Sequence, residues 1–271
     1  MNKAEQDPIS QAALAEDLVG PGSLWTGVEV VAETGSTNAD LAAAARAGAA
    51  SGSVLITGSQ TTGKGRLGRT WVAPPGTGIA LSVLLRPEVP AARWTWLPLL
   101  AGLAVSDALR QQYDLPADLK WPNDVLVGGR KISGVLAERV ETGDGSAVVL
   151  GMGINVSLTA AQLPVPTATS ITLALADLGV PGLQVSRTAL VATVLRSLER
   201  IVRHWIDVAD DSGVALAYRE RCSTLGRDVR VELGDGAVEG RAESVDSSGR
   251  LVLRTAEGPR VFGAGDVVHL R

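Results

Sequence analysis

Residues 58–78 read Gly58-Ser59-Gln60-Thr61-Thr62-Gly63-Lys64-Gly65-Arg66-Leu67-Gly68-Arg69-Thr70-Trp71-Val72-Ala73-Pro74-Pro75-Gly76-Thr77-Gly78. Two phosphate-binding patterns overlap in this stretch. Gly63, Gly65 and Gly68 fit G-x-G-x-x-G, which opens a dinucleotide fold only where a strand precedes it and a helix follows at once. An apolar run over 54–60 supplies the strand. No helix follows, because Pro74, Pro75 and Gly76 come next. Gly58 to Lys64 approach a P-loop, but that loop needs Ser or Thr after the lysine to hold magnesium, and Gly65 stands there. Both nucleotide folds are therefore excluded. What survives is a glycine loop carrying Lys64, Arg66 and Arg69. Its backbone can come close to a ligand, and its cations suit phosphate oxygens.

Outward from this loop, the remaining lysines and asparagines fall in short marked motifs. Beyond the first three residues lysine occurs only at 64, 120 and 131, and asparagine only at 38, 123 and 155. Arginine supplies the rest of the positive charge. An ammonium is a compact point charge and a guanidinium a flat fork, so each lysine is informative. The net charge of −4 and pI near 5.3 argue against nucleic acid as the main partner. One cysteine, Cys222, allows no internal disulfide and no cysteine-rich zinc site. No apolar run is long enough to span a bilayer, and no leader is apparent, so a cytoplasmic protein without a membrane partner is expected. His204 and His269 read as structural or surface residues.

Periodicity predicts a helix over 9–20, a strand around Val28 and Val30, and a helix over 41–47 behind the cap signature Ser36-Thr37-Asn38-Ala39-Asp40. Strands follow over 54–60, 79–85, 131–139 and 147–156. Pro98 opens an apolar helix to about 109. A long helix starts after Ser186, with an apolar stripe from Leu190 to Trp205. From Gly226 short alternating strands, with turns at 234–236 and 247–249, predict a small β-barrel.

Taken together, five motifs resemble the bacterial biotin protein ligases: Ser36-Thr37-Asn38; Gln60 with Gly63 to Trp71; Lys120-Trp121-Pro122-Asn123-Asp124; Arg130 to Glu138; and Gly151-Met152-Gly153-Ile154-Asn155. Their order and spacing match from about residue 25 onward. Lys64 stands where the family usually has arginine. The short stretch before Ser36 leaves no room for a DNA-binding domain, so a ligase without a repressor role is expected.

The resemblance implies an α/β (α+β) fold, a mixed sheet flanked by helices like the class II aminoacyl-tRNA synthetase core, over 1–222, with an SH3-like β-barrel over 223–271. It implies ATP with Mg2+, biotin as substrate, and the biotin carboxyl carrier domain of acyl-CoA carboxylases as partner. Monomer and homodimer are both compatible. Lys131 and Arg66 are the expected catalytic cations. Ser36, Thr37, Asn38, Gln60, Gly63, Lys64 and Gly65 are expected around biotin, with Arg66 and Lys131 reaching it too. Lys64, Arg66, Arg69, Trp71, Lys120, Asn123 and Asn155 are expected around the nucleotide. Asp124 is a candidate magnesium ligand, and Lys120 either pairs with it or contacts the surroundings of the acceptor lysine. Gly151 and Gly153 belong to the last motif, a tight strand bend being the plain structural alternative for them. The rival readings are a lipoate or octanoate ligase or transferase, and a non-catalytic biotin or adenylate sensor.

Overall fold

A computed structural model describes residues 7–208, 211–234 and 236–270. Its first element, α1 (Gln11–Leu18), is capped by Ser10. A seven-stranded sheet contains β1 (Gly27–Val31), β2 (Ser53–Thr57), β3 (Gly78–Leu85), β4 (Ala117–Lys120), β5 (Asp124–Val127), β6 (Arg130–Thr142) and β7 (Gly145–Asn155). Their order is β1-β2-β3-β7-β6-β5-β4. β1 and β2 run parallel and every other pair antiparallel, which gives the expected mixed sheet.

Side chains alternate across a strand, so each face of the sheet has its own tenants. Leu81, Val83, Met152, Ile154 and Val135 join the main core beneath α3 (Leu97–Tyr113), with α5 (Arg187–Asp207) packed outside it. The α5 stripe from Leu190 to Trp205 is buried there, as its spacing predicts. Leu55, Leu84, Val140, Ala147 and Val149 face the other way. They form a smaller cluster with Leu41 and Ala45 of α2 (Thr37–Arg46). The substrate-sized cavity lies on this α2 face.

Some elements differ from their sequence-based bounds. The strand predicted over 54–60 leaves the sheet after Thr57, and Gln60 makes only an isolated bridge with Thr34. α2 begins at Thr37, directly behind its cap, where Ser36 Oγ accepts from the Ala39 N–H at 3.4 Å; such a cap contributes about 1 kcal/mol. β5, α4 (Ile171–Asp177) and α6 (Ser212–Arg221) were not anticipated. After the glycine loop comes no α-helix, only one short 3-10 turn over Arg66–Gly68 with Leu67 at φ 54°.

The predicted terminal barrel has five antiparallel strands: β8 (Asp228–Leu233), β9 (Gly236–Val245), β10 (Leu251–Thr255), β11 (Gly258–Phe262) and β12 (Asp266–His269). Asp235, in the expected 234–236 turn, lies outside the described residues. The barrel is fastened to the sheet by tryptophans. Trp121 Nε1 donates to the Gly249 carbonyl at 3.0 Å and Trp96 Nε1 to the Ser247 carbonyl at 2.8 Å. No helix among the described residues is long and apolar enough to cross a membrane.

Candidate active site

Two rows of residues across the sheet form the floor of the site. In one row Ser82 of β3, Gly151 of β7 and Leu136 of β6 lie side by side. In the next, Ala80, Gly153, Gly134 and Asp124 do so. Each glycine leaves a hole on the α2 face that another side chain fills. A Cβ on Gly151 would sit 2.2 Å from Asn38 Oδ1, and one on Gly153 would sit 2.4 Å from Trp71 Cε2. The alternative of a tight strand bend at these two glycines is not met; β7 runs in regular register past both. They are flat because a polar amide and an indole must lie directly on the strand.

Asn38 is almost fully buried. Its Nδ2 donates to Glu138 Oε2 at 2.7 Å and to the Leu136 carbonyl at 3.3 Å. Its Oδ1 lies 2.7 Å from Ser82 Oγ, which is also 2.7 Å from Thr37 Oγ1. Gln60 Oε1 accepts from the Thr37 N–H at 2.9 Å and lies 3.1 Å from the Thr37 hydroxyl oxygen. The Ser-Thr-Asn motif and Gln60 therefore meet at one end of a cavity of about 490 Å³.

The loop closes the other side. Lys64 pairs with Thr70, and Trp71 N donates to the Gly63 carbonyl at 2.9 Å. Gly63 is flat for the same reason as the strand glycines, since a Cβ there would meet the Trp71 carbonyl at 2.6 Å. With its indole seated on Gly153, Trp71 also lies under Lys131, whose Nζ is 5.8 Å from the ring centroid. Arg66 Nη1 reaches Asn123 Oδ1 at 3.1 Å and the Gly265 carbonyl at 3.3 Å. Arg69 pairs with Asp266 of the barrel. Asn123 is braced in turn, its Nδ2 donating to the Val135 carbonyl at 2.8 Å.

Lys131 and Arg66 thus line the same cavity, together with Lys64, Arg69 and Lys120. Against these five cations the lining sets three carboxylates, Asp124, Glu232 and Asp266. An acidic chain has built a net positive pocket, as an anionic ligand requires. Burial pushes the Arg66 guanidinium below its usual range, with Asp266 and Asp124 opposing the shift. Burial also lowers the Lys120 ammonium, with Asp124 pulling the other way and Lys131 adding repulsion.

The expected pairing of Asp124 with Lys120 gives way to another. Asp124 Oδ1 stands 2.6 Å from Lys131 Nζ, a charge contact without the angle of a hydrogen bond. The reason is register: Asp124 and Lys131 lie on adjacent antiparallel strands near the irregularity between Val125 and Leu126. No cluster of three acidic, histidine or cysteine side chains able to cage a metal occurs among the described residues. Asn155 also lines the cavity, but its Nδ2 is committed to the Thr169 carbonyl at 2.9 Å. His204, in the last turn of α5, and His269 of β12 lie outside the lining.

Sequence reading missed four contributors. Ser82 carried a usable signal, as the one hydroxyl in the strand 78–85. Glu138 was quoted within a motif but given no role. Asp266 comes from the barrel. The segment 164–168 pairs alongside Lys131, whose N–H donates to the Thr167 carbonyl at 2.7 Å.

Comparison with known proteins matches this geometry to a family. The model of the "Biotin/lipoate A/B protein ligase family" matches residues 33–155, and that of the "Biotin protein ligase C terminal domain" matches residues 224–270. The biotin--[acetyl-CoA-carboxylase] ligase of Mycobacterium tuberculosis is 44% identical over 97% of each chain. The structure of the biotin protein ligase from Aquifex aeolicus in complex with biotin and ATP superposes with a TM-score of 0.76, at 27% identity, over 91% of this chain and 100% of that one. The Leishmania major enzyme in complex with biotinyl-5-AMP gives a TM-score of 0.61 at 26% identity, over 91% of this chain and 99% of that one. With sheet, barrel, motif order and the extent of these matches in agreement, the chain belongs to the biotin protein ligases.

Proposed function

We propose that this chain activates biotin with MgATP as biotinyl-5′-AMP and passes the biotinyl group to a lysine of a biotin carboxyl carrier domain. In the first step the biotin carboxylate attacks the α-phosphate of ATP and pyrophosphate leaves. In the second the acceptor amine attacks the mixed anhydride and AMP leaves. The observation that carries this reading is the convergence of Lys131 and Arg66 on one cavity whose far end is the Asn38 network.

Each demand of the chemistry has a counterpart in the cavity. Biotin is a neutral bicyclic urea with an apolar tail, and it suits an end with few, fixed polar groups. The carboxylate and the triphosphate repel, so cations must stand between them beforehand. Lys131, poised by Asp124 on one side and Trp71 on the other, is placed to meet the carboxylate and the α-phosphate. Arg66 and Arg69 neutralise phosphate oxygens while tying the loop to the barrel. Asp124 serves as counter-ion to Lys131. Magnesium enters with the nucleotide and takes most of its ligands from phosphates and water. The catalytic unit spans 1–222, and the barrel over 223–271 completes the nucleotide side of the cavity.

The test is biotin-dependent exchange of pyrophosphate into ATP, followed by mass spectrometry of a carrier domain mixed with protein, biotin and MgATP. Exchange that needs biotin, and a carrier heavier by one biotinyl group, are expected. Exchange driven equally well by lipoate, or none at all, would sink the reading.

A further inference from the structure

Glu138 is half-buried behind Asn38, and it makes no ion pair among the described residues. Its recorded hydrogen bond joins Oε2 to Asn38 Nδ2 at 2.7 Å, so a full negative charge is set against a neutral amide. An ionised carboxylate only accepts, so this contact fixes which end of the Asn38 amide is which. Nδ2 faces Glu138 and Oδ1 faces Ser82. Ser82 has one proton and two neighbours at 2.7 Å, the Thr37 hydroxyl and Asn38 Oδ1. Asn38 Oδ1 brings no proton of its own, so Ser82 donates there. The contact between the Thr37 and Ser82 hydroxyls is then filled by the Thr37 proton. Gln60 Oε1 keeps the Thr37 N–H. Every proton in the chain Thr37, Ser82, Asn38, Glu138 points toward the carboxylate. Thr37 and Asn38, which line the cavity, offer it lone pairs.

We infer that Glu138 is a positioning residue: by holding the Asn38 amide in one of its two orientations, it makes this end of the cavity an acceptor wall. Such a wall selects a ligand presenting N–H donors, a cyclic urea or amide, over one of the same shape that presents only oxygens. The inference rests on the biotin reading above and adds to it a residue that never touches the ligand.

The test compares wild type with Glu138→Ala, Glu138→Met and Glu138→Gln in biotin-dependent pyrophosphate exchange. Met keeps the side-chain volume without an acceptor, should Ala fail to fold. Gln restores an acceptor oxygen. A biotin analogue with a cyclic carbonate in place of the urea serves as competitor. Wild type should prefer biotin by at least about a hundredfold, as sites built around ligand N–H groups do. In the Ala and Met variants the KM for biotin should rise about tenfold, the scale of one charge-assisted hydrogen bond. The preference over the carbonate should fall by a similar factor. The KM for MgATP should not move, and Glu138→Gln should stay within about twofold of wild type. An unchanged biotin KM and preference in a folded Ala or Met variant would overturn the inference, and so would an equal rise for both substrates. If wild type itself shows no biotin-dependent exchange, the functional reading fails and takes the inference with it.

Discussion

At the Asn38 end of the cavity, polar atoms are tied to one another by short hydrogen bonds within a buried, glycine-floored wall. At the Arg66 end the groups are long, charged and partly exposed, and they arrive from a loop, a hairpin and a separate barrel. Under the proposed function the contrast follows the ligand. A neutral head is recognised by shape and by hydrogen-bond direction, which demand a rigid frame. Anionic groups are recognised by charge, which tolerates movement and permits a loop to open and close. One cavity therefore holds a fixed half and a charged half, and Lys131 sits where they meet.

The largest effect should come at that meeting point. Lys131→Ala should lower the rate of pyrophosphate exchange about 10²–10³-fold, the usual cost of removing one preorganised electrostatic contact. Its melting temperature should stay near wild type; near-native exchange would show that the two halves do not meet there. Gly151→Ala tests the fixed half. The added methyl meets the Asn38 carbonyl oxygen at 2.2 Å, and overpacking of this kind costs about 1–3 kcal/mol. The KM for biotin should climb about tenfold or more while that for MgATP holds. A parallel change in both would blur the distinction between the halves. Arg66→Ala tests the charged half. Without its ties to Asn123 and Gly265, free biotinyl-AMP should escape several-fold faster and carrier labelling should fall. Normal retention of the intermediate would remove Arg66 from loop closure.

The smallest effect concerns the barrel beneath the charged half. Burial, with repulsion from Lys120 and Arg227, depresses the His269 pKa from its ordinary 6.5 to about 4. The unfolded chain therefore takes up this proton first. The contribution of His269 to stability is whole above pH 6.5 and is lost as pH falls from 6.5 toward 4. Thermal melts across that window should show a decline that is shallower in His269→Gln by roughly 2–4 °C. Equal slopes would indicate that His269 stays protonated in the fold.

What the sequence revealed followed the same division. The motifs could be read because close approach leaves glycines and a fixed head leaves Ser, Thr and Asn, and these are scarce residue types in marked places. The α5 stripe and the alternating barrel strands could be read because their burial is one-sided. The helix α6 could not, because its apolar residues do not gather on one face. Ser82 was legible as the one hydroxyl in an apolar strand, but its partners Thr37 and Asn38 lie more than forty positions away. The true partner of Asp124 depended on a strand irregularity that no local pattern records. Asp266 could not be foreseen, because its closeness to Arg69 spans 197 positions and exists only once the barrel has docked.

That separation has a consequence for biosynthesis. Arg66 fastens to the carbonyl of a residue 199 positions further along. While the ribosome is still making the barrel, the glycine loop has nothing at that side to hold. Until the barrel has been made and has docked, the Arg66 guanidinium has no carbonyl at position 265 to hold, so this tie is among the last contacts the chain can complete.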